Sequence, residues 1–321
     1  MPAEAPKPAV TICIPTRNHL PMLRQTLDAL GRQTDLRLFQ VVVCDDGSTD
    51  GSYEELQSLR PGFDLRWVQS GGRGSGAARN VAAAAAEGEV LIFLDDDQLA
   101  NPNLVAAHLA VQRREGPALV QGPYPLAPGC DRAGTSLVYQ QGQDVTLWKL
   151  VRPGLLARHV WDANLSVTAA TWREVGGFDE TLLRNQDLDF GIRVSALGVP
   201  LVFEPAAFSH HLHRLSRADF GRQEFQTGRD LVRIAQKHGL ALEALVGPGR
   251  GLADRLAVLA WARAPAVADR AGRLLSGSLA LADASNVRTA QLITARLLRR
   301  FYLMGGVTAE TRDSAIPPQL A

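Results

Sequence analysis

The sequence predicts an α/β fold with a largely parallel sheet, continued by a helical C-terminal extension. Three observations predict it. Short apolar runs alternate with segments of helical periodicity over the first half of the chain. Two of those runs end in clusters of aspartate. From about Asp219 onward the chain has helical periodicity almost throughout.

The elements follow in order. "AVTICIP" reads as a strand. "NHLPMLRQTLDALG" reads as a helix, with Asn18 as N-cap, Pro21 in the first turn, Gly31 at the end and Leu20, Leu23, Leu27 and Leu30 on one face. "FQVVVCD" is the second strand, followed by the turn "DDGSTDGS" and the helical "YEELQSLR". "DLRWVQS" is the third. The Gly-rich "GGRGSGAARN" opens an Ala-rich helix, and "EVLIFLD" is the fourth strand. Asn101 and Pro102 read as N-cap and first residue of the next helix. Strand and helix alternating at this spacing give a largely parallel sheet. Beyond about residue 125 the pattern weakens. "RHVWDANLSVTAATWREVGGFDE" reads as a short strand, a helix and a Gly turn, "NQDLDFGIRVSALG" as a helix and "VPLVFEP" as a strand.

Composition narrows the function classes. The 321 residues carry a formal net charge of +1, so there is no global electrostatic attraction to nucleic acid. Cys13, Cys44 and Cys130 have no metal-ligand or CxxC spacing, and the first two lie in strand-like runs. That usage suits a reducing compartment. No apolar run approaches the roughly 18 residues of a membrane span. The Pro/Ala-rich residues 1–8 read as a disordered lead-in without a signal-peptide core, and the protein reads as cytoplasmic.

Strand order locates the chemistry. Asp45 and Asp46 end the second strand, and Asp95, Asp96 and Asp97 end the fourth. In open α/β sheets ligands bind outside the carboxyl ends of the strands, so both clusters and the loop after Pro15 can open onto one crevice. Two carboxylates one residue apart at a strand end form a hard-oxygen site suited to Mg²⁺ or Mn²⁺ with substrate phosphates completing the shell. The bland alternative is an acidic turn that caps the next helix. "GGRGSGAARN" offers backbone N–H groups with Arg73 and Arg79, but it is not GxxxxGK[ST]. Asp187 reads as a candidate general base and Asp189 as a cap or ion-pair partner, against a plain reading as favourable charges at a helix start. His210, His211 and His213 follow a strand in "SHHLHR", a spacing that favours metal or anion contact.

Taken in order, "PTRN", "DDGSTDGS", "GRGSGAARN", "FLDDD", "WDANLSV", "GGFDE" and "NQDLDFGIR" resemble the family 2 glycosyltransferases over about residues 9–235. The resemblance implies a GT-A, Rossmann-like fold with a mixed, mostly parallel sheet. It implies a nucleotide-sugar half at 9–125, an acceptor half at 126–235 and a helical extension at 236–321. By motif, Pro15, Thr16 and Arg17 would line the nucleotide pocket. Asp46 would bond the base with Asp45 beside it, Arg73 would lie near the base, and Arg79 and Asn80 would support the pocket. Asp95 and Asp97 would form the DxD motif, with Asp97 on a Mn²⁺ or Mg²⁺ ion and Asp95 or Asp96 on ribose or sugar. Asn164 would fall on the acceptor side, Asp187 would take the acceptor proton, and His211, with His210 and His213 as rivals, would complete the metal shell. The implied reaction is inverting transfer from a UDP-, GDP- or dTDP-sugar to an acceptor hydroxyl, in polysaccharide, cell-envelope glycoconjugate or metabolite synthesis.

One departure stands out: the family's usual Glu before the catalytic Asp is Gln186, on the acceptor side, which removes a carboxylate that would position acceptor or donor. Arg296, Arg299 and Arg300 among Leu297, Leu298, Phe301 and Tyr302 make the C-terminal helices candidates for peripheral membrane contact, useful for a lipid-linked acceptor. The rival readings are a sugar-nucleotide pyrophosphorylase, which would want a Gly-rich basic loop after the first strand, and a non-catalytic nucleotide-binding or regulatory domain.

Overall fold

The computed structural model describes residues 7–130, 132–150, 160–212, 215–247 and 251–313. Residues 1–6 of the expected lead-in and His213 lie outside them. The chain forms two compact units. The first comprises Met1–Ala127, Gln143–Thr181 and Gln186–Leu212; the second comprises Pro128–Gly142, Leu182–Asn185 and His213–Ala321.

The first unit is built on β1 (Val10–Thr16), β2 (Phe39–Asp45), β3 (Asp64–Gln69), β4 (Val90–Leu94), β6 (Leu119–Gln121), β7 (Asn164–Thr168) and β8 (Leu201–Phe203). Among the described residues these form one sheet in the order β3-β2-β1-β4-β7-β6-β8. β1, β2, β3 and β4 pair in parallel, whereas β7 runs antiparallel to both β4 and β6. A second, two-stranded sheet joins β5 (Gln98–Ala100) to β9 (Ser209–His211). The helices of this unit are α1 (Leu20–Leu30), α2 (Ser52–Ser58), α3 (Ser75–Ala84), α4 (Leu104–Glu115), α6 (Ala169–Val175) and α7 (Gln186–Ala196); α5 (Gly134–Leu150) spans both units.

β1, β2 and β4 are buried along their whole length, which is why they read as continuous apolar runs rather than alternating ones. On one face Ile12, Ile14, Val41, Val43 and Ile92 pack with Leu23, Leu27 and Leu30 of α1. On the other, Cys13, Cys44 and Phe93 pack with Ala78 and Ala82 of α3 and with Phe178 and Phe190. Phe93 meets Phe178 edge-on at 4.9 Å, and Phe178 stacks on Phe190 at 4.7 Å. Each buried aromatic of this kind contributes about 2–3 kcal/mol of transfer free energy.

Two helix starts differ from the sequence reading. The residue preceding α1 is His19, not Asn18, which takes a left-handed φ of 56° and accepts from the Thr49 amide. The Leu20 amide is capped instead by Asp50, 30 residues away. α4 starts at Leu104 with Asn103 before it, because residues 98–100 are taken into β5 and Asn101 forms a turn onto the Asn103 amide.

The second unit contains α8 (Arg217–His238), α9 (Leu242–Val246), α10 (Leu252–Arg263), α11 (Pro265–Ser285) and α12 (Arg288–Asp313). The expected boundary at residue 235 falls inside α8, which belongs with the helical unit because it packs along α12. A Cβ on Gly306 would come within 1.7 Å of the Phe225 carbonyl oxygen, so only glycine permits this approach. Arg229 and Arg233 both reach Glu310, each at 2.7 Å. The arginines read as membrane-facing are held within this unit: Arg296 bonds Gln141, Arg299 pairs with Glu224 at 3.3 Å and Arg300 with Asp254 at 2.9 Å. Leu298 is fully buried, whereas Leu297 is exposed. No helix among the described residues is long and apolar enough to cross a membrane.

Candidate active site

The sheet order reverses at β1, which has β2 on one side and β4 on the other. The carboxyl ends of these strands therefore flank the position where such sheets bind ligands. Pro15 and Thr16, both buried, end β1, and Arg17 follows with its side chain more than half exposed. Asp45, at the end of β2, accepts from the Gly47 and Ser48 amides and so braces its own turn. Asp46 accepts from the Ser70 hydroxyl at 2.5 Å and from the Gly74 amide at 2.9 Å, with Arg17 3.7 Å away. Gly74 can offer that amide because its φ is 97°. One N–H of the Gly-rich turn is thus directed at Asp46. Arg73 bonds the Ser70 carbonyl and pairs with Glu180 at 3.2 Å.

The three acids after β4 have three environments. Asp96 turns inward and is 6% exposed. It accepts from Thr16 Oγ1 at 2.6 Å and meets His19 Nδ1 at 3.1 Å, while Thr26 donates to its carbonyl. Burial pushes the Asp96 carboxyl up, opposed by the His19 bond, and that same bond raises His19 to about 9. Asp97 Oδ2 meets His211 Nε2 at 2.9 Å. The register that pairs Gln98 with His211 across the small sheet brings them together. Burial pulls His211 down, but the Asp97 charge and hydrogen bond outweigh it and raise the imidazole overall. His210 instead places its ring edge-on to Phe208.

Asp95 faces Arg79. The Arg79 guanidinium, on α3, is 5% exposed and reaches Asp95 Oδ1 at 2.5 Å and Asp162 Oδ2 at 2.8 Å. Its carbon lies 5.9 Å from the Phe178 ring centroid. Burial alone would lower its pKa, but Asp162 and then Asp95 more than compensate, and Asp187 adds to the same field. Asn80, next on α3, exchanges two hydrogen bonds with the Phe178 backbone and also donates to Glu180. The Gly-Gly-Phe turn before α7 is fixed by that exchange: a Cβ on Gly177 would lie 2.6 Å from Asn80 Oδ1.

At the start of α7, Gln186 is buried with its amide 3.5 Å from the Ser75 hydroxyl. Asp187 is half-buried, with Oδ1 accepting from the Leu188 amide. Asp189 is fully buried and pairs with Arg193 at 2.7 Å, so it has the ion-pair role that its spacing suggested. Asn164, expected on the acceptor side, is the first residue of β7. It has no exposure; its amide nitrogen donates to the Pro123 and Ala207 carbonyls, and its oxygen meets His108 Nε2 at 3.0 Å. It braces strands because Gly122 lets the chains close in: a Cβ there would sit 2.0 Å from the Ala207 oxygen.

Three contributors escaped sequence reasoning. Asp162 sits inside the "WDANLS" segment and could have been flagged by that proximity. His19 and Ser70 carry no sequence signal. They reach Asp96 and Asp46 over 77 and 24 residues.

This is the architecture of the GT-A glycosyltransferases. The fold is shared with a mannosyltransferase of Pyrobaculum calidifontis solved with GDP-Man and Mn²⁺ (TM-score 0.63, 20% identity, 96% of this chain and 88% of that one). It is also shared with Staphylococcus aureus TarS residues 1–349 solved with UDP-GlcNAc (TM-score 0.58, 18% identity, 88% and 90%). Residues 11–169 match the model of glycosyl transferase family 2, and through this segment the chain belongs to that family. Relatives include validoxylamine A glucosyltransferase of Streptomyces hygroscopicus, 31% identical over 60% of this chain and 53% of the relative. The pre-mycofactocin glycosyltransferase of Mycobacterium tuberculosis is 27% identical over 76% of this chain and 51% of its own length. The chain thus spans about half the length of these curated relatives.

Proposed function

We propose that the chain is a metal-dependent, inverting glycosyltransferase that moves a sugar from a nucleotide-sugar donor to an acceptor hydroxyl. The observation that carries this reading is the charge array at the carboxyl ends of β1, β2 and β4, where Arg79 joins Asp95 to Asp162 within the field of Asp187. In this reading Thr16, Arg17, Asp46 and Arg73 surround the nucleotide, and Asp95 is held by Arg79 in an orientation for the donor. Asp187 accepts the proton of the acceptor hydroxyl as its oxygen bonds to the anomeric carbon and the bond to the diphosphate breaks. One displacement inverts the anomeric centre.

Among the described residues, no group of three or more His, Cys, Asp or Glu is gathered as a ready metal cage. The Asp97–His211 pair fits an ion with few protein ligands, since Mg²⁺ and similar cations keep water and substrate phosphates in their shells. When bound, such a cation would stabilise the charge of the departing nucleoside diphosphate. That the Pyrobaculum protein was solved with Mn²⁺ and a sugar nucleotide supports the same reading.

Release of nucleoside diphosphate from UDP-, GDP- and dTDP-sugars, with Mn²⁺ and then with EDTA, tests the class. Asp187→Asn is expected to lower acceptor-dependent release about 10²–10⁴-fold while donor affinity holds. Transfer at the parental rate in that variant removes Asp187 as the base.

A further inference from the structure

We propose that His19 is a donor-binding residue, whose imidazole, oriented by Asp96, contacts the diphosphate of the nucleotide. The assignment rests on the nucleotide-sugar reading above. His19 lies three residues beyond the end of β1, on the loop that also carries Arg17. Its Nδ1 is fixed on Asp96 Oδ1 at 3.1 Å, leaving Nε2 as the nitrogen for another partner. The carboxylate that orients it is itself anchored: Thr16 holds the other oxygen at 2.6 Å and Thr26 holds the backbone behind it. The imidazole is not enclosed, since its side chain is 48% exposed while that of Asp96 is 8% exposed. A purely structural histidine on a buried carboxylate would have little reason to remain this open.

The charges facing His19 are Asp96 and Asp97 from the turn after β4 and Asp50 from the turn after β2. All are acidic, and they keep the ring protonated through the neutral range. Such a ring offers a charge-assisted N–H, the donor type that phosphate oxygens bind best. It stands beside the acids after β4, where a diphosphate would bring negative charge that needs a compensating cation.

Calorimetric titration of the full chain with UDP and GDP in the presence of Mn²⁺, and with uridine and guanosine, tests the assignment. His19→Gln is expected to weaken the better-bound diphosphate about tenfold and leave its nucleoside unchanged. His19→Lys, which retains a cation, is expected to recover most of the loss. Equal weakening of nucleoside and diphosphate, no weakening in His19→Gln, or failure of lysine to recover affinity would overturn it. If the parent chain binds neither UDP nor GDP nor dTDP, the nucleotide-sugar reading itself fails, and this assignment with it.

Discussion

Asp162 and Asn164 are two residues apart, yet they belong to polar clusters of opposite kinds. Asp162 shares the Arg79 guanidinium with Asp95, in a charged cluster where Asp95 keeps 27% side-chain exposure. Asn164 belongs to a neutral cluster with His108, Ser166 and Gln112 that has no exposed member among the first three. In the neutral cluster every role is assigned. The Asn164 oxygen must accept, because its nitrogen already donates twice, so His108 carries its proton on Nε2 and accepts from Ser166 at Nδ1. Burial pushes His108 down to about 4, where the same residue type beside Asp96 is raised to about 9. A buried neutral network fixes strands; a charged one that stays partly open can still exchange a partner for a ligand.

The sharpest way to break this contrast is at Arg79. Arg79→Met keeps the stem but strands two carboxylates, and a loss of about 3–5 kcal/mol in urea unfolding is expected. Asp162→Asn in the same background should recover part of it, and a double-mutant cycle with no coupling would show that the ion pair contributes nothing. Asn164→Ala leaves the Pro123 and Ala207 carbonyls and His108 without their partner, for a loss of about 2–4 kcal/mol at pH 7.5. An effect under 1 kcal/mol would mean that water replaces the amide without cost.

The smallest effect concerns pH. His108 is neutral in the fold, and an unfolded histidine titrates near 6.5. Above that value neither state takes the proton. Below it the unfolded chain does and the folded chain does not, so stability is lost as pH falls from about 6.5 through about 4, by up to about 3 kcal/mol. His108→Gln should flatten that part of the acid slope relative to the parent. Identical slopes between pH 7.5 and 4.5 would contradict a neutral buried ring.

The first four strands were the legible part. β1 to β4 were readable because strands buried on both faces are continuous apolar runs, and the acids that end them are conspicuous. Asp96, grouped with Asp95 as a contact for ribose or sugar, turns inward onto Thr16 and His19, which the spacing of the three acids does not reveal. Local signals misled where a distant residue supplied the local need, as when Asp50 caps α1 in place of Asn18. At Asn164 two backbone carbonyls more than 40 residues away take up the amide, a pairing that motif position does not reveal. The partners of the α12 arginines, Gln141, Glu224 and Asp254, are likewise far away in the chain.

The sequence by itself determined the strand order's alternation with helices, the placement of two aspartate clusters at strand ends, and the family. Those depend on periodicity and on residues adjacent in the chain. Tertiary structure alone decided which carboxylate meets which cation: Asp96 with His19 across 77 residues and Asp97 with His211 across 114. A carboxylate's charge state and direction depend on the burial and charge around it, and those are supplied by whichever strands and helices the fold brings alongside.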